Sequence, residues 1–186
     1  MTAMELETLV VASWWAIIPL VVVGSLLHFA FDWSRHNRVV AIFSAVNESY
    51  WEHIKIAVWP VALFQVVAFA MGGWRFPAFV PAATLALYSI PVGMIGLVFV
   101  YKSVAKRNIL WLDIALFALV IALAQWIFTT VLQQLQADVV TIVLSALYLV
   151  GLVVSFLRFT LRPPKEPDWF IDPITKKYGV SAHPDA

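Results

Sequence analysis

The sequence predicts an all-α fold, a polytopic bundle of five transmembrane helices with the N-terminus outside and the C-terminus in the cytoplasm. Three observations lead to this prediction. Apolar residues make up 62% of the 186 residues and charged residues only 12%, a composition that a water-covered surface does not tolerate. The apolar residues form separate runs long enough to cross a bilayer. Most of the basic residues lie on one side of those runs.

The apolar runs define the individual elements, because a helix needs about 20 mainly apolar residues to cross the hydrocarbon core. They predict spans near residues 6–33, 48–72, 79–101, 109–132 and 139–161, within a transmembrane domain over residues 1–162. The first run has no basic residues at its start, so we expect a retained span and not a cleaved signal peptide. Residues 163–186 form a polar tail. Its aromatic residues, such as Phe170, can let the tail dock onto the membrane domain.

The distribution of Lys and Arg predicts the orientation. On one side of the spans only Arg75 is basic, whereas the other side carries Arg35, Arg38, Lys102, Lys106, Arg107, Arg158, Arg162, Lys165, Lys176 and Lys177. Because cytoplasmic segments are enriched in basic residues, the richer side is predicted to face the cytoplasm.

Net charge and cysteine content exclude some classes of function. A net charge of +1 gives no reason to expect a nucleic acid partner. The chain has no cysteine, so thiolate metal sites and cysteine nucleophiles are excluded. The expected surroundings are the lipid bilayer, and the sequence indicates no oligomeric state.

Polar residues gather near the predicted cytoplasmic end of the spans. Gly24, His28 and Asp32 follow one another at i, i+4 and i+8, so they share one face of a continuous helix. The second span opens with the polar segment 47–55, and Asp113 in the fourth span has a similar depth by helical rise. We therefore expect one pocket open to the cytoplasm, lined by His28, Asp32, Asn47, Glu48, Ser49, Glu52, His53, Lys55 and Asp113.

These residue types suit a divalent metal. Imidazole and carboxylate without thiolate are ligands of Zn²⁺ or another divalent first-row ion, and a catalytic zinc takes three protein ligands and keeps one position open. The predicted ligands are His28, His53 and one carboxylate, either Asp32 or Glu52. Glu48, Glu52 and Asp113 are the predicted catalytic groups, with Glu48 or the spare carboxylate as general base on a bound water.

A purely structural interpretation explains the same residues. Lys55 can neutralise Glu48 or Glu52 within one helix. Asp32 can pair with a nearby arginine, and His28 can hydrogen-bond a neighbouring helix. Both interpretations stay open, because ion-pair networks also collect buried charges.

Other conspicuous residues receive structural interpretations. The nine tryptophans are expected to anchor span ends at the membrane interface. Gln65 and Gln125 are expected to pair across helices, or to line a passage. His36 and His183 are expected in exposed segments without a functional role.

Several segments resemble the signature of an uncharacterised family of small bacterial polytopic membrane proteins. They are Gly24-Ser25-Leu26-Leu27-His28-Phe29, Asp32-Trp33-Ser34, Val46-Asn47-Glu48-Ser49-Tyr50-Trp51-Glu52-His53-Ile54-Lys55 and Asp172-Pro173-Ile174-Thr175-Lys176-Lys177-Tyr178-Gly179-Val180. The resemblance implies a shared architecture in a bacterial inner membrane and directs attention to positions 28–55. It supplies no activity.

Three functions remain open. The first is a metal-dependent interfacial enzyme, a hydrolase of a lipid or amphiphile, favoured by the shallow depth of the polar cluster. The second is a non-enzymatic membrane subunit, assembly factor or sensor whose tail contacts a partner. The third is a proton, cation or small-solute transporter, which is less favoured because no internal repeat is visible.

Overall fold

The computed structural model describes residues 5–105 and 109–183, apart from the side chains of Phe99 and Lys102. Within this part of the chain, five helices are long and apolar enough to cross a membrane, which confirms the predicted fold class. They are Leu6–Leu27 (α1), Tyr50–Ala70 (α3), Phe79–Ala105 (α4), Leu110–Gln134 (α5) and Val139–Leu161 (α6), and a short helix, Ala30–Trp33 (α2), follows α1. The predicted basic residues Lys106 and Arg107 lie outside the described residues.

α3 packs against α1 and α4, α5 packs against α4 and α1, and α6 packs against α4. Of the long helices, α3 is the most buried and α6 the least, so α6 presents most of its apolar side chains to lipid. Pro19, Pro60 and Pro91 lie inside α1, α3 and α4, as membrane helices tolerate. Because successive spans run in opposite directions, α1, α4 and α6 end where α3 and α5 begin. We call this end of the bundle the tail end.

Gly24 permits close contact among three helices near the tail end. A Cβ atom at this position would lie 2.7 Å from Cζ of Phe117 in α5 and 2.8 Å from the carbonyl oxygen of Ile56 in α3. Only glycine leaves room for this approach, as small residues do in membrane bundles. The contact lies one turn before His28 and brings the end of α1 against α3.

The first span ends earlier than its apolar pattern predicts. The pattern continues to residue 33, but α1 ends at Leu27 and the chain turns before α2. The turn buries Phe31, which is 1% exposed and packs with Ala41 and Val46. The amide of Ala45 donates to the carbonyl of Leu27 at 3.3 Å, so the following segment lies against the end of α1. Tertiary burial of Phe31 thus overrides the local helical pattern.

The tail, residues 163–183, folds back onto the tail end. Phe170 is buried, and its ring lies 5.0 Å from that of Trp51 in α3 and 5.4 Å from that of Phe159 in α6. A bridge between Ile171 and Tyr178 closes the tail into a compact loop. The polar tail therefore covers the beginning of α3.

Candidate metal centre

Two histidines and a glutamate from three segments meet at the tail end. His28 follows the last residue of α1, Glu48 precedes α3, and His53 lies in the first turn of α3. Glu48 Oε1 is 3.3 Å from His28 Nε2, and Glu48 Oε2 is 3.7 Å from His53 Nε2. One ligand atom from each residue lies within 4.8 Å of the others. We call His28, Glu48 and His53 the first cluster.

A backbone carbonyl orients the ring of His53. Nδ1 of His53 lies 2.9 Å from the carbonyl oxygen of Ser49. Because a carbonyl oxygen only accepts, the neutral ring donates from Nδ1 and keeps its lone pair on Nε2. That lone pair is directed toward Glu48. Metal-binding histidines are commonly oriented in this way by an outer partner.

The tail fixes the turn that carries Glu48. Asp172 Oδ1 accepts a hydrogen bond from the backbone amide of Glu48 at 3.2 Å. The side-chain amide of Asn47 donates to the carbonyl of Gly179 at 3.0 Å, and its Oδ1 accepts from the amide of Ser49 at 2.9 Å. Asn47 and Ser49, both predicted to line the site, are buried and support its backbone.

Charge complementarity shifts the pKa values of His28 and Glu48. The hydrogen bond that His28 donates to the Glu48 carboxylate, helped by the charges of Glu48 and Asp32, raises the pKa of His28 above its ordinary 6.5 although partial burial opposes this. The same bond, helped by the charges of His53 and His28, lowers the pKa of Glu48 below 4.5 against the effect of burial. The cluster thus favours a positive charge beside Glu48, and a cation can supply it in place of a proton.

Glu52 and Lys55 form a separate, closed pair. Glu52 Oε2 is 2.6 Å from Lys55 Nζ, and the side chains are 3% and 0% exposed. Lys55 also donates to the carbonyl of Ala41 at 2.7 Å, and Glu52 Oε2 accepts from the amide of Val46 at 3.0 Å. This is the pairing within one helix that the structural interpretation predicts. Glu52 is therefore committed to holding segment 41–46 against α3.

Asp32 lies in a second group of potential ligands. Its Oδ1 is 2.7 Å from Nε2 of His183 and 3.6 Å from Nε2 of His36. Since α1 ends at Leu27, Asp32 no longer continues the helical face of His28. We call Asp32, His36 and His183 the second cluster. The only signal for it in the sequence is the four-residue spacing of Asp32 and His36, and nothing indicates that His183 returns from the tail.

The remaining predicted residues stand apart from both clusters. Asp113 is part-buried in the first turn of α5, and among the described residues no hydrogen bond or ion pair joins its carboxylate to either cluster. Gln65 and Gln125 are buried, yet neither amide group has a hydrogen-bond partner in the described part of the chain. The expected pairing of these glutamines across helices is not observed.

Comparison with known proteins gives one match. A model of a family of unknown function, DUF6512, matches residues 4–180, a range that contains the whole first cluster and Asp172 but not His183. No curated protein matches the chain, and no solved structure does. The match agrees with the expected membership of an uncharacterised family. The chain therefore belongs to the family of unknown function DUF6512.

Proposed function

We propose that this protein is a metal-dependent membrane enzyme that binds Zn²⁺ or a related divalent ion at His28, Glu48 and His53 and hydrolyses a lipid or another amphiphile. The observation that carries the proposal is the convergence of three ligand atoms within 4.8 Å. Two histidines and a glutamate are an established ligand set of catalytic zinc, which keeps its fourth position for water or substrate.

The distances support a tetrahedral ion. Two ligands bound to the same zinc at about 2.0–2.1 Å lie about 3.3 Å apart at the tetrahedral angle. The observed separations of Glu48 from His28 and His53 are 3.3 Å and 3.7 Å. Because the two distances involve different oxygens of Glu48, this part-exposed carboxylate would bind the ion through both oxygens or rotate to present one of them. The absence of cysteine agrees with an ion of borderline hardness.

The exposure of the site supports access for both water and an amphiphile. The Glu48 side chain is 45% exposed, so solvent reaches this ligand. Beside it, Phe29 and Trp33 stack at 5.9 Å and are 50% and 66% exposed. Exposed aromatic side chains at this level are typical of the membrane interface. They offer an apolar surface to the chain of a substrate whose polar group reaches the first cluster.

The chemistry is hydrolysis of an ester, amide or phosphoester. A divalent ion bound there would supply Lewis-acid chemistry, activating water and polarising the bond that breaks. His28, Glu48 and His53 would hold that ion, and the Ser49 carbonyl and Asp172 keep His53 and the Glu48 backbone oriented. The hydroxide of one water is added to the acyl or phosphoryl centre, and its proton leaves with the departing alcohol or amine. No other reactant is required.

We also propose that the tail end faces the cytoplasm of a bacterial inner membrane. Arg35, Arg38 and the basic residues of the tail lie at this end, whereas Arg75 lies at the other. A reporter that is fluorescent only in the cytoplasm, fused after residue 186, should be active. Activity of a periplasmic phosphatase fused at the same place would contradict this orientation.

Metal binding is tested with the full-length protein in detergent. Zinc should bind the wild type, and Glu48→Gln should lower the affinity of one site by more than about 100-fold, since loss of an outer-shell partner alone costs about 10–100-fold. Asp113→Asn is the matched control, because it neutralises a carboxylate outside both clusters. Equal zinc binding by Glu48→Gln and the wild type would refute the site.

Hydrolysis is tested separately. Zinc-loaded protein should release fatty acid or a headgroup from at least one component of a total bacterial lipid extract, and chelation or Glu48→Gln should abolish the release. If zinc binds at the first cluster but no lipid is cleaved, the enzymatic proposal fails and a metal-dependent scaffold takes its place.

A further inference from the structure

We propose that the second cluster, Asp32, His36 and His183, binds another divalent ion of the same class and that this ion fastens the tail to the bundle. The role is structural, in contrast to the open site proposed at the first cluster. The proposal adds a second site to the protein and does not depend on hydrolysis.

The ligand atoms of the second cluster come from three segments. Asp32 lies in α2, His36 in the turn after it, and His183 near the end of the tail. Oδ1 of Asp32 is 2.7 Å from Nε2 of His183 and 3.6 Å from Nε2 of His36, and one ligand atom of each residue lies within 4.8 Å of the others. Imidazole and carboxylate are the ligand types that zinc and neighbouring metals accept.

The two histidine rings converge on one carboxylate oxygen. Their centroids are 4.5 Å apart, and Oδ1 of Asp32 lies 2.7 Å from Nε2 of His183 and 3.6 Å from Nε2 of His36. One divalent ion between these groups would take a lone pair from each imidazole and neutralise the carboxylate.

The backbone is held in an unfavourable conformation that brings His36 back to Asp32. Arg35 and His36 have φ values of 56° and 61°, in the left-handed region that residues other than glycine rarely adopt. Consecutive residues of this kind cost free energy and persist where the surrounding structure imposes them. Phe31, buried beneath, contacts the rings of His36 and His183 at 5.1 Å and 5.2 Å between centroids. The turn and the packing on Phe31 thus fix both rings beside Asp32.

The position of His183 gives the ion its function. The His183 side chain is only 10% exposed, and Val180 beside it packs on the small core of Phe31. The same tail carries Asp172, which accepts from the amide of Glu48. An ion at the second cluster therefore stabilises the docked tail and, through Asp172, the turn that holds Glu48. By linkage, each ion should then increase the affinity for the other.

The first measurement is the number of bound ions, by native mass spectrometry of the full chain after zinc loading. We expect two sites in the wild type, loss of one in His36→Gln, loss of the other in Glu48→Gln, and loss of both in the combined variant. One ion in the wild type that survives His36→Gln would refute the second site. One ion that survives Glu48→Gln but not His36→Gln would refute the first site alone.

The second measurement is trypsin cleavage at Lys176 and Lys177, which reports the docking of the tail. Zinc at about 100 times its Kd should slow this cleavage by about 100-fold in the wild type, because the second ion binds only the docked tail. His183→Gln should remove this protection, and it leaves the sequence of all five spans unchanged. His53→Ala, which removes a ligand of the first cluster, is the matched control and should keep most of the protection that zinc gives against trypsin. Equal zinc protection in His183→Gln and the wild type would refute the proposal.

Discussion

Two groups of charged residues near the start of α3 lie one helical turn apart and have opposite properties. The closed pair, Glu52 and Lys55, is almost fully buried, whereas nearly half of the Glu48 side chain is exposed. Glu52 has a lysine and a backbone amide as partners, and Lys55 has a carbonyl as well. Among residues 5–105 and 109–183, the charged or titratable partners of the Glu48 carboxylate are two histidines, at the longer distances of 3.3 Å and 3.7 Å.

The difference lies in how fully the chain satisfies each group. A buried charge needs a partner and hydrogen bonds from its surroundings. Glu52 and Lys55 are each other's charge partners within α3, and segment 41–46 supplies the further hydrogen bonds. The first cluster has unused ligand capacity and access to solvent. Both groups contain a glutamate near the start of α3, so burial and completeness of pairing distinguish the structural pair from the site available to a ligand.

The largest effect should come from breaking the closed pair. Lys55→Met leaves Glu52 buried without its cation and should lower the free energy of unfolding by about 3–5 kcal/mol. Adding Glu52→Gln, which keeps an acceptor for the Val46 amide, should recover much of this loss. Thermal unfolding in detergent measures both variants. A loss below about 1 kcal/mol in Lys55→Met would mean that the pair contributes no more to the free energy of unfolding than a surface salt bridge does.

Next in size is the helix contact below the first cluster. Gly24→Ala places a Cβ atom 2.8 Å from a backbone oxygen of α3 and should cost about 1–3 kcal/mol of stability. It should also displace His28 and weaken zinc binding. Gly151→Ala is the matched control, since no atom lies within 4 Å of its added Cβ. If both variants bind zinc like the wild type, close packing of α1 is not needed to place His28.

A smaller effect is expected from the outer support of Glu48. Asp172→Asn weakens the bond that Asp172 accepts from the Glu48 amide and should lower zinc affinity about 10-fold, the lower end for an outer-shell partner. Calorimetric titration with zinc measures the change, and Asp168→Asn, a change of the same kind elsewhere in the tail, serves as control. An unchanged affinity would show that Glu48 is positioned without the tail.

The smallest effect concerns protonation of the metal-free protein. Removing the Glu48 charge in Glu48→Gln should lower the pKa of His28 toward its ordinary value, as NMR titration of the imidazole can detect. The raised pKa of His28 stabilises the folded protein below pH 6.5. This contribution is lost as the pH rises through the pKa that His28 has in the folded protein. The lowered pKa of Glu48 stabilises above pH 4.5, and that contribution is lost as the pH falls through its folded value. Stability should therefore peak between these limits, and Glu48→Gln should flatten the peak.

The spans could be predicted from the sequence because each helix must satisfy its own backbone in lipid, a requirement that acts on each segment separately. The meeting of His28 and His53 was also accessible, since both lie near the same ends of neighbouring spans. The position of Glu48 between the two histidines was not accessible from the sequence. A continuous helix places Asp32 on the face of His28, but burial of Phe31 ends α1 at Leu27 and leaves Glu48 between the two histidines.

The second cluster could not be predicted, because its geometry depends on long-range folding. His183 lies about 150 residues after Asp32, and no periodicity relates a polar tail to a turn near the start of the chain. Arg35 and His36 adopt the left-handed backbone conformation although neither is glycine, so the sequence does not mark this turn either. Aromatic residues in the tail did indicate docking, and Phe170 packs against Trp51.

The contact between Asp32 and His183 also sets an order of events during biosynthesis. Four of the five long helices lie between these residues in the chain, so the two can meet only after all four have been synthesised. A nascent chain that has not reached residue 183 lacks this contact, and the turn after α1 then has no tail residue beside Asp32.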